Sequence, residues 1–297
     1  MDPLLITPES GERNAERIFR GRFTFPTSAF RYRVCDGMAS TLSHSKHTRL
    51  PIRIVDECAE WLVVDKPPYL DAHPTKPDGR FTLWDGLREL LAYEIANGGQ
   101  VSLINRLDRE TSGLTLIAKH RESARALHLE MQERVFEKEY LALVWGWPEA
   151  EEFAVDAPII RQGERETSRI YLKRMAHPDG AEAFTAFRIE QRFVGRDGAR
   201  FCLVRAFPKT GRTHQIRVHL AHAGLPVVGD KIYGPDEGCY LEFIDTGWTA
   251  RLAARLLLPR HALHSAALRI PQRELAWTAP LAPDLRAWIG ENLLAVS

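Results

Sequence analysis

Asp108 is the residue whose surroundings most invite chemistry. It lies in INRLDRETSGLTLIAKH, residues 104–120, where an apolar run breaks into Asn105-Arg106-Leu107-Asp108-Arg109-Glu110, passes through Thr111-Ser112-Gly113 and resumes. A core strand has no need of that interruption. An acid flanked by arginines at a strand-to-strand junction is either a tightly held turn or a working carboxylate, and this stretch alone leaves both open. The hydroxyls of Thr111 and Ser112 can satisfy loop amides, and Gly113 permits an unusual backbone angle.

A second cluster lies in FPKTGRTHQIRVHLAHAGLPVVGDKIYG, residues 207–234. Arg205, Lys209, Arg212 and Arg217 follow one another with no acid between them. That is a local positive patch of the kind phosphate contacts need. Thr210 to His214 reads as a turn running into a helix, with Thr213 as its cap. His214 and Arg217 then share a helix face. His214, His219 and His222 invite a metal reading, but no Cys, Asp or Glu completes a zinc spacing. They are expected to pack or hydrogen-bond, and no metal is expected. RQGERETSRIYLKR, residues 161–174, is a third basic stretch and by itself indicates little.

The bulk composition sets the frame. The chain has 297 residues, 44% hydrophobic and 27% charged, with a net charge of +1. These values suit an ordinary soluble globular protein, and a footprint for a polyanion would have to be local. Cys35, Cys58, Cys202 and Cys239 are far apart and form no CxxC pair, so free thiols are expected. The N-terminal stretch has no signal-peptide pattern and no apolar run suits a membrane span, which predicts a cytoplasmic protein with no membrane partner.

Residues 1–50 are rich in Arg, Ser, Thr and Gly without a sustained period. They read as an extension that docks on the main body, not as an evident RNA-binding module. From residue 51 to 297 the elements become legible. PIRIVDECAEWLVVDKPP reads as two short strands stopped by Pro67-Pro68. FTLWDGLRELLAYEIANGG is a helix capped by Thr82 with Asp85 and closed by Asn97-Gly98-Gly99. Strands are predicted over 101–104 and 114–119, a helix over 122–135, and a buried strand in KEYLALVWG. In AFTAFRIEQRF, alternation places Phe187, Ile189 and Phe193 on one face. RFCLVRAFP is apolar on both faces and therefore central in a sheet. ALHSAALRIP is another strand, and APDLRAWIGENLLA a final helix. Runs of strands with a few helices indicate an α+β domain.

Three segments taken together resemble the RluA-type pseudouridine synthases. That family carries DKPxGLxxHP, HRLDxxTSG and GRxHQxRxHxxxxGxPIxGDxxYG segments in that order. This chain has DKPPYLDAHP (65–74), NRLDRETSG (105–113) and GRTHQIRVHLAHAGLPVVGDKIYG (211–234). The resemblance spans residues 51–297. Asn105 stands where the family has histidine, and Tyr69 where it has glycine. Neither touches the aspartate, and Asn105 can still supply a loop hydrogen bond.

The resemblance implies a mixed, largely antiparallel sheet with flanking helices and a central catalytic cleft. It also implies isomerisation of a specific uridine to pseudouridine in structured ribosomal or transfer RNA, without a cofactor. Asp108 would be the catalytic carboxylate, as nucleophile or as the base that removes a sugar proton. Its ionic partner would be Arg217, with Arg212 the second choice. Arg106 would help fill the space left by the flipped base. Tyr140 in EKEYLALVWG would stack on that base and assist proton removal at C5. Its face carries Ala142 and Val144, while Leu141, Leu143 and Trp145 point the other way. Thr111, Lys209, Arg212 and His214 are expected to contact RNA, and a monomer is expected. The rival reading is a catalytically idle RNA-binding protein that retains the fold. Such a descendant would have no chemical reason to keep Asp108, Arg106, Tyr140 and Arg217 together.

Overall fold

The computed structural model describes residues 52–74 and 79–296. The expected N-terminal extension lies outside the described residues. The chain opens with a hairpin, β1 (Arg53–Glu57) and β2 (Trp61–Lys66). Helices α1 (Leu83–Leu90) and α2 (Ala92–Ala96) lead to β3 (Ser102–Leu103) and β4 (Ser112–Ala118). Helix α3 (Arg121–Gln132) returns the chain to β5 (Glu137–Trp145). The strands β6 (Glu152–Asp156), β7 (Ile159–Arg161), β8 (Arg174–Ala176), β9 (Phe184–Gly195) and β10 (Arg200–Pro208) follow. Three helices come next: α4 (Gln215–His222), α5 (Gly238–Thr246) and α6 (Ala250–Leu256). The chain closes with β11 (Leu263–Ile270), β12 (Leu275–Thr278), α7 (Pro283–Asn292) and β13 (Leu293–Val296).

Eleven of these strands form one sheet whose backbone order is β1-β2-β4-β11-β5-β10-β9-β13. Among the described strands only β4 and β11 pair parallel; the other pairs are antiparallel. The fold is therefore α+β with a mixed, largely antiparallel sheet. No helix of the described residues is long and apolar enough to cross a membrane.

The local chemistry explains most elements. Thr82 and Asp85 form a reciprocal capping box at the start of α1, a feature that contributes about 1 kcal/mol. Leu83, Leu87 and Leu91 then pack on Leu62, Val64 and Ile117 of β2 and β4. Each such fully buried leucine contributes about 1.5–3 kcal/mol. Strand β10 sits between β5 and β9, as its two apolar faces predict.

Three expectations need correction. In β9 the alternation breaks at Glu190, because Leu203 pairs with Gln191 while Val204 pairs with Ile189. This bulge moves Phe193 to the face opposite Phe187 and Ile189, where it pairs with Phe201. The last residues of the predicted final helix, Leu293 to Ala295, are not helical: together with Val296 they leave α7 and pair with β9 as β13. Thr213 does not cap α4. His214 occupies the cap position in the left-handed region, at φ 60°, with no side-chain cap. The loop is held instead by Gln215, whose Oε1 accepts from Arg212 N at 2.9 Å and Thr210 Oγ1 at 2.7 Å.

The single parallel junction has a tight requirement. Gly113 sits at φ +110°, and a Cβ there would lie 2.2 Å from the Ser265 carbonyl oxygen on β11. Gly98 also has positive φ, at +88°, but open space around it. Gly113→Ala is expected to destabilise the protein by about 3 kcal/mol or more, against about 1 kcal/mol for Gly98→Ala. Urea unfolding of the two variants checks this; equal losses would show that β4 and β11 can separate without penalty.

Candidate active site

The interruption at residues 104–111 is a loop kept in register by a side chain. Ile104 N donates to Leu116 O at 2.8 Å, as a strand residue would. The buried Asn105 amide then imitates a backbone unit: its Nδ2 donates to Leu114 O at 3.0 Å and its Oδ1 accepts from Leu116 N at 2.8 Å. The chain can therefore leave the sheet for Asp108 while staying anchored to β4. Thr111 N donates to Asp108 O at 3.1 Å and closes the turn.

Charged side chains hold this loop from behind. Lys66, fully buried, donates to Pro67 O and Leu70 O at 2.9 Å and to Arg109 O at 3.3 Å. Burial pushes its pKa down to about 7, with Asp108 opposing that shift. Glu110 receives Lys231 Nζ at 2.7 Å and His261 N at 3.2 Å. Arg260, also fully buried, donates to Glu110 O at 3.0 Å and forks onto Asp284 at 2.7 and 2.9 Å. A buried charge missing its partner would cost several kcal/mol, so this network leaves the loop little freedom.

The carboxylate of Asp108 faces the cleft, with 31% of its side-chain surface exposed. Arg217 on α4 donates from Nη1 to Asp108 Oδ2 at 2.9 Å. Its other edge forks onto Asp230, Nε to Oδ2 at 2.6 Å and Nη2 to Oδ1 at 2.8 Å. Asp230 is wholly buried and also accepts from Ile232 N and Tyr233 N. The Tyr233 ring lies 5.0 Å from the Arg217 guanidinium carbon. Asp230 thus fixes the plane and rotation of Arg217, and Arg217 presents one N–H to Asp108.

Desolvation raises the pKa of Asp108, while charge on His214, the Arg217 guanidinium with its hydrogen bond, and charge on His261 lower it; the net direction is down. Burial pushes His214 down to about 4, so its imidazole is neutral at pH 7. The cation that keeps Asp108 ionised at neutral pH is therefore Arg217.

The structure brings most of the predicted site residues together. Arg106, Asp108, Thr111, Tyr140, Arg212, His214 and Arg217 line one cleft. Arg106 is exposed at its rim. Tyr140 shares its strand face with Ala142 and Val144, as expected from their pairing with Ala206, Val204 and Cys202. Burial raises its phenol to about 12, against a hydrogen bond with Ser265, so the hydroxyl is protonated at neutral pH. Arg212 Nε donates to Glu182 O at 3.0 Å. Two expectations fit less well. The Thr111 hydroxyl is engaged by His261 Nε2 at 2.7 Å and its side chain is buried, so it braces the loop. Lys209 is exposed on the neighbouring loop, outside the residues that line the cleft.

His219, the second histidine of the trio, is buried between Thr185 Oγ1 and Ala157 O at 2.9 Å each. Among the described residues no His, Cys, Asp and Glu group could hold a metal ion. Sequence reasoning passed over Asp230, Tyr233, Lys66 and Lys138. Asp230, Tyr233 and Lys66 lay inside motifs already quoted, but nothing in their spacing announces the buried partners they meet. Lys138 stands two residues before Tyr140 and lines the same cleft.

Comparison with known proteins agrees with this geometry. The sequence profile described as RNA pseudouridylate synthase matches residues 60–222. An uncharacterised RNA pseudouridine synthase of Chloroflexus aurantiacus is 38% identical over 75% of this chain and 63% of its own length. The dual-specificity RNA pseudouridine synthase RluA of Vibrio vulnificus is 34% identical, over 61% of this chain and 68% of its own length. The ribosomal large subunit pseudouridine synthase D of Nitrosomonas europaea is 33% identical over 86% of this chain and 69% of its own. The chain thus spans about two thirds of the length of these relatives. The solved structure of human RNA pseudouridylate synthase domain containing 1 superposes with a TM-score of 0.61 at 26% identity, covering 83% of this chain and 89% of that one. With the three ordered motifs, the α+β sheet and the Asp108–Arg217 pair in one cleft, this chain belongs to the RluA-type RNA pseudouridine synthase family.

Proposed function

We propose that this protein isomerises a specific uridine to pseudouridine in structured RNA, with Asp108 as the catalytic carboxylate. The observation that carries this reading is the 2.9 Å contact from Arg217 to an open, ionised Asp108, in a guanidinium locked from behind by buried Asp230. The reaction breaks the N1–C1′ bond, turns the uracil and joins C5 to C1′, with loss of the C5 proton to solvent and uptake of a proton at N1. An ionised carboxylate can start it by adding at C1′ or by removing the C2′ proton. The target base must leave its stack first, which costs a few kcal/mol. Exposed Arg106 at the rim fits the role of filling the vacated space. Tyr140, a neutral phenol on the cleft wall, fits a stacking role for the flipped ring, and its hydroxyl can pass the C5 proton onward without being a free phenolate.

Ribosomal RNA of the large subunit is the proposed target, supported by the relative named for that substrate, which is similar over 86% of this chain. Cytoplasmic action as a monomer belongs to the same reading. Cys58, Cys202 and Cys239 are free thiols, which suits a reducing compartment.

Two measurements test this. Large-subunit RNA from cells lacking the protein, labelled with tritium at uridine C5, should release tritium with wild-type protein and lose at least about a thousandfold in rate with Asp108→Asn, while RNA affinity stays within about threefold. Parallel loss of binding and turnover would assign Asp108 a structural role. Arg212→Ala should weaken RNA binding and lower the slope of log affinity against log salt by roughly 1. An unchanged slope would remove Arg212 from the phosphate footprint.

A further inference from the structure

His214 is held in an unusual way. Its backbone occupies the left-handed region at φ 60°, a conformation that disfavours non-glycine residues and persists where the surroundings enforce it. Its imidazole is fixed by one hydrogen bond, Nδ1 to the Tyr233 hydroxyl at 2.8 Å, with the two rings edge to face at 78°. Its Nε2 points at the cleft, 3.9 Å from Asp108 Oδ2.

Two neighbours favour one tautomer. The Tyr233 oxygen already accepts from Arg174 N at 2.8 Å, and its single proton can be donated to His214 Nδ1. With Nε2 facing the Asp108 carboxylate at 3.9 Å, the neutral tautomer with its proton on Nε2 is the favoured one, and Nδ1 then accepts the Tyr233 proton. Arg217 stacks on the same Tyr233 ring, so one tyrosine positions both side chains that face Asp108.

We propose, on the reading of the cleft as a pseudouridine synthase site, that His214 is a further catalytic residue: its Nε2–H donates to the uracil oxygen beside the breaking glycosidic bond. Any group within hydrogen-bonding range of substrate and 3.9 Å from Asp108 is close to C1′, where that bond breaks. The uracil oxygen nearest C1′ is O2. When the N1–C1′ bond breaks, its electron pair goes to the ring, and the charge spreads onto O2 and O4. A fixed donor aimed at that oxygen stabilises the developing anion.

The symmetry of uracil makes one donor sufficient. A half-turn about the line through N3 and C6 exchanges N1 with C5 and O2 with O4. After the turn, O4 stands where O2 stood, and the same Nε2–H serves it while the C5–C1′ bond forms. Cytosine offers O2 in the first position, but its amino group would arrive in the second and face another donor. His214 therefore also disfavours cytidine at the bond-forming step.

Single-turnover kinetics on unmodified large-subunit RNA test this across pH 5 to 8. The groups facing the imidazole are Tyr233, Asp108, Arg217, Asp230 and His261. Because His214 is neutral above about pH 4, it should set no limb of the wild-type rate across that range. His214→Leu should lose about 100-fold in the rate constant of the chemical step with KM changed less than about threefold. His214→Gln, which returns an N–H donor at a similar reach, should recover to within about tenfold of wild type. Tyr233→Phe should slow the step by about tenfold, because the imidazole then loses the partner that holds Nδ1 as an acceptor. Equal losses for Gln and Leu, a loss confined to KM, or a rate limb near pH 6.5 that disappears in His214→Gln would each overturn the proposal. Melting temperatures near wild type confirm that the variants are folded. Turnover by wild type that Asp108→Asn abolishes keeps the assigned reaction secure whatever the His214 variants show.

Discussion

One guanidinium shared by two carboxylates organises the site. Arg217 forks onto Asp230, which is wholly buried, and reaches Asp108, which faces the cleft. The geometry is asymmetric for a physical reason. A bidentate pair fixes the plane of the arginine, so its remaining N–H points in one direction only. Asp108 is therefore held ionised where a substrate can reach it, while Asp230 is sealed off with both oxygens engaged. Arg217 is balanced from behind by Asp230, so the charge on Asp108 stays available for a carboxylate acting as nucleophile or base. The neutral state of His214 preserves that charge.

The rest of the fold brings these three groups together from distant parts of the chain. Asp108 arrives on a loop before β4, Arg217 on α4, and Asp230 on the turn after it. The loop meets the remainder of the sheet where β4 runs beside β11, the sole parallel pairing among the described strands. Gly113 and Ser265 approach so closely there that no side chain fits. Lys66, Glu110, Lys231, Arg260 and His261 hold the same loop by its backbone and its neighbouring acid. Such a polar network is unfavourable unless every member finds a partner, and it then specifies one arrangement.

Much of this was legible in the residues. The interruption around Asp108 marked the loop, Thr82 with Asp85 marked a helix start, and the small residues sharing its face marked Tyr140 out from a plain strand tyrosine. The three motifs predicted both family and fold. What stayed hidden was tertiary in origin. Nothing in the chain says that Asp230 would meet Arg217 across a turn, or that Arg260 would reach Asp284 and the Glu110 carbonyl. The bulge at Glu190 follows from how β10 pairs, not from the periodicity of β9. Leu293 to Ala295 continue a helical pattern but, with Val296, find an open edge of β9 and join it. Thr213 is an acceptable cap by composition, yet Gln215 secures the loop and His214 takes the left-handed position. The two family departures also have physical readings. Asn105 closes the loop with its amide, and Tyr69 adopts φ 66°, a position at which glycine would be unstrained.

The most direct test of the account is a carbon-13 NMR titration of the Asp108 carboxyl in the free protein, beside the same titration in Arg217→Gln. The wild-type carboxyl should titrate below the ordinary aspartate value of about 3.9, because charge on His214 and the Arg217 guanidinium with its hydrogen bond oppose desolvation; losing the permanent cation should make the variant titrate above wild type. A wild-type value at or above that reference, or one unmoved by the loss of Arg217, would contradict the claim that the Arg217–Asp230 pair keeps Asp108 ready to react.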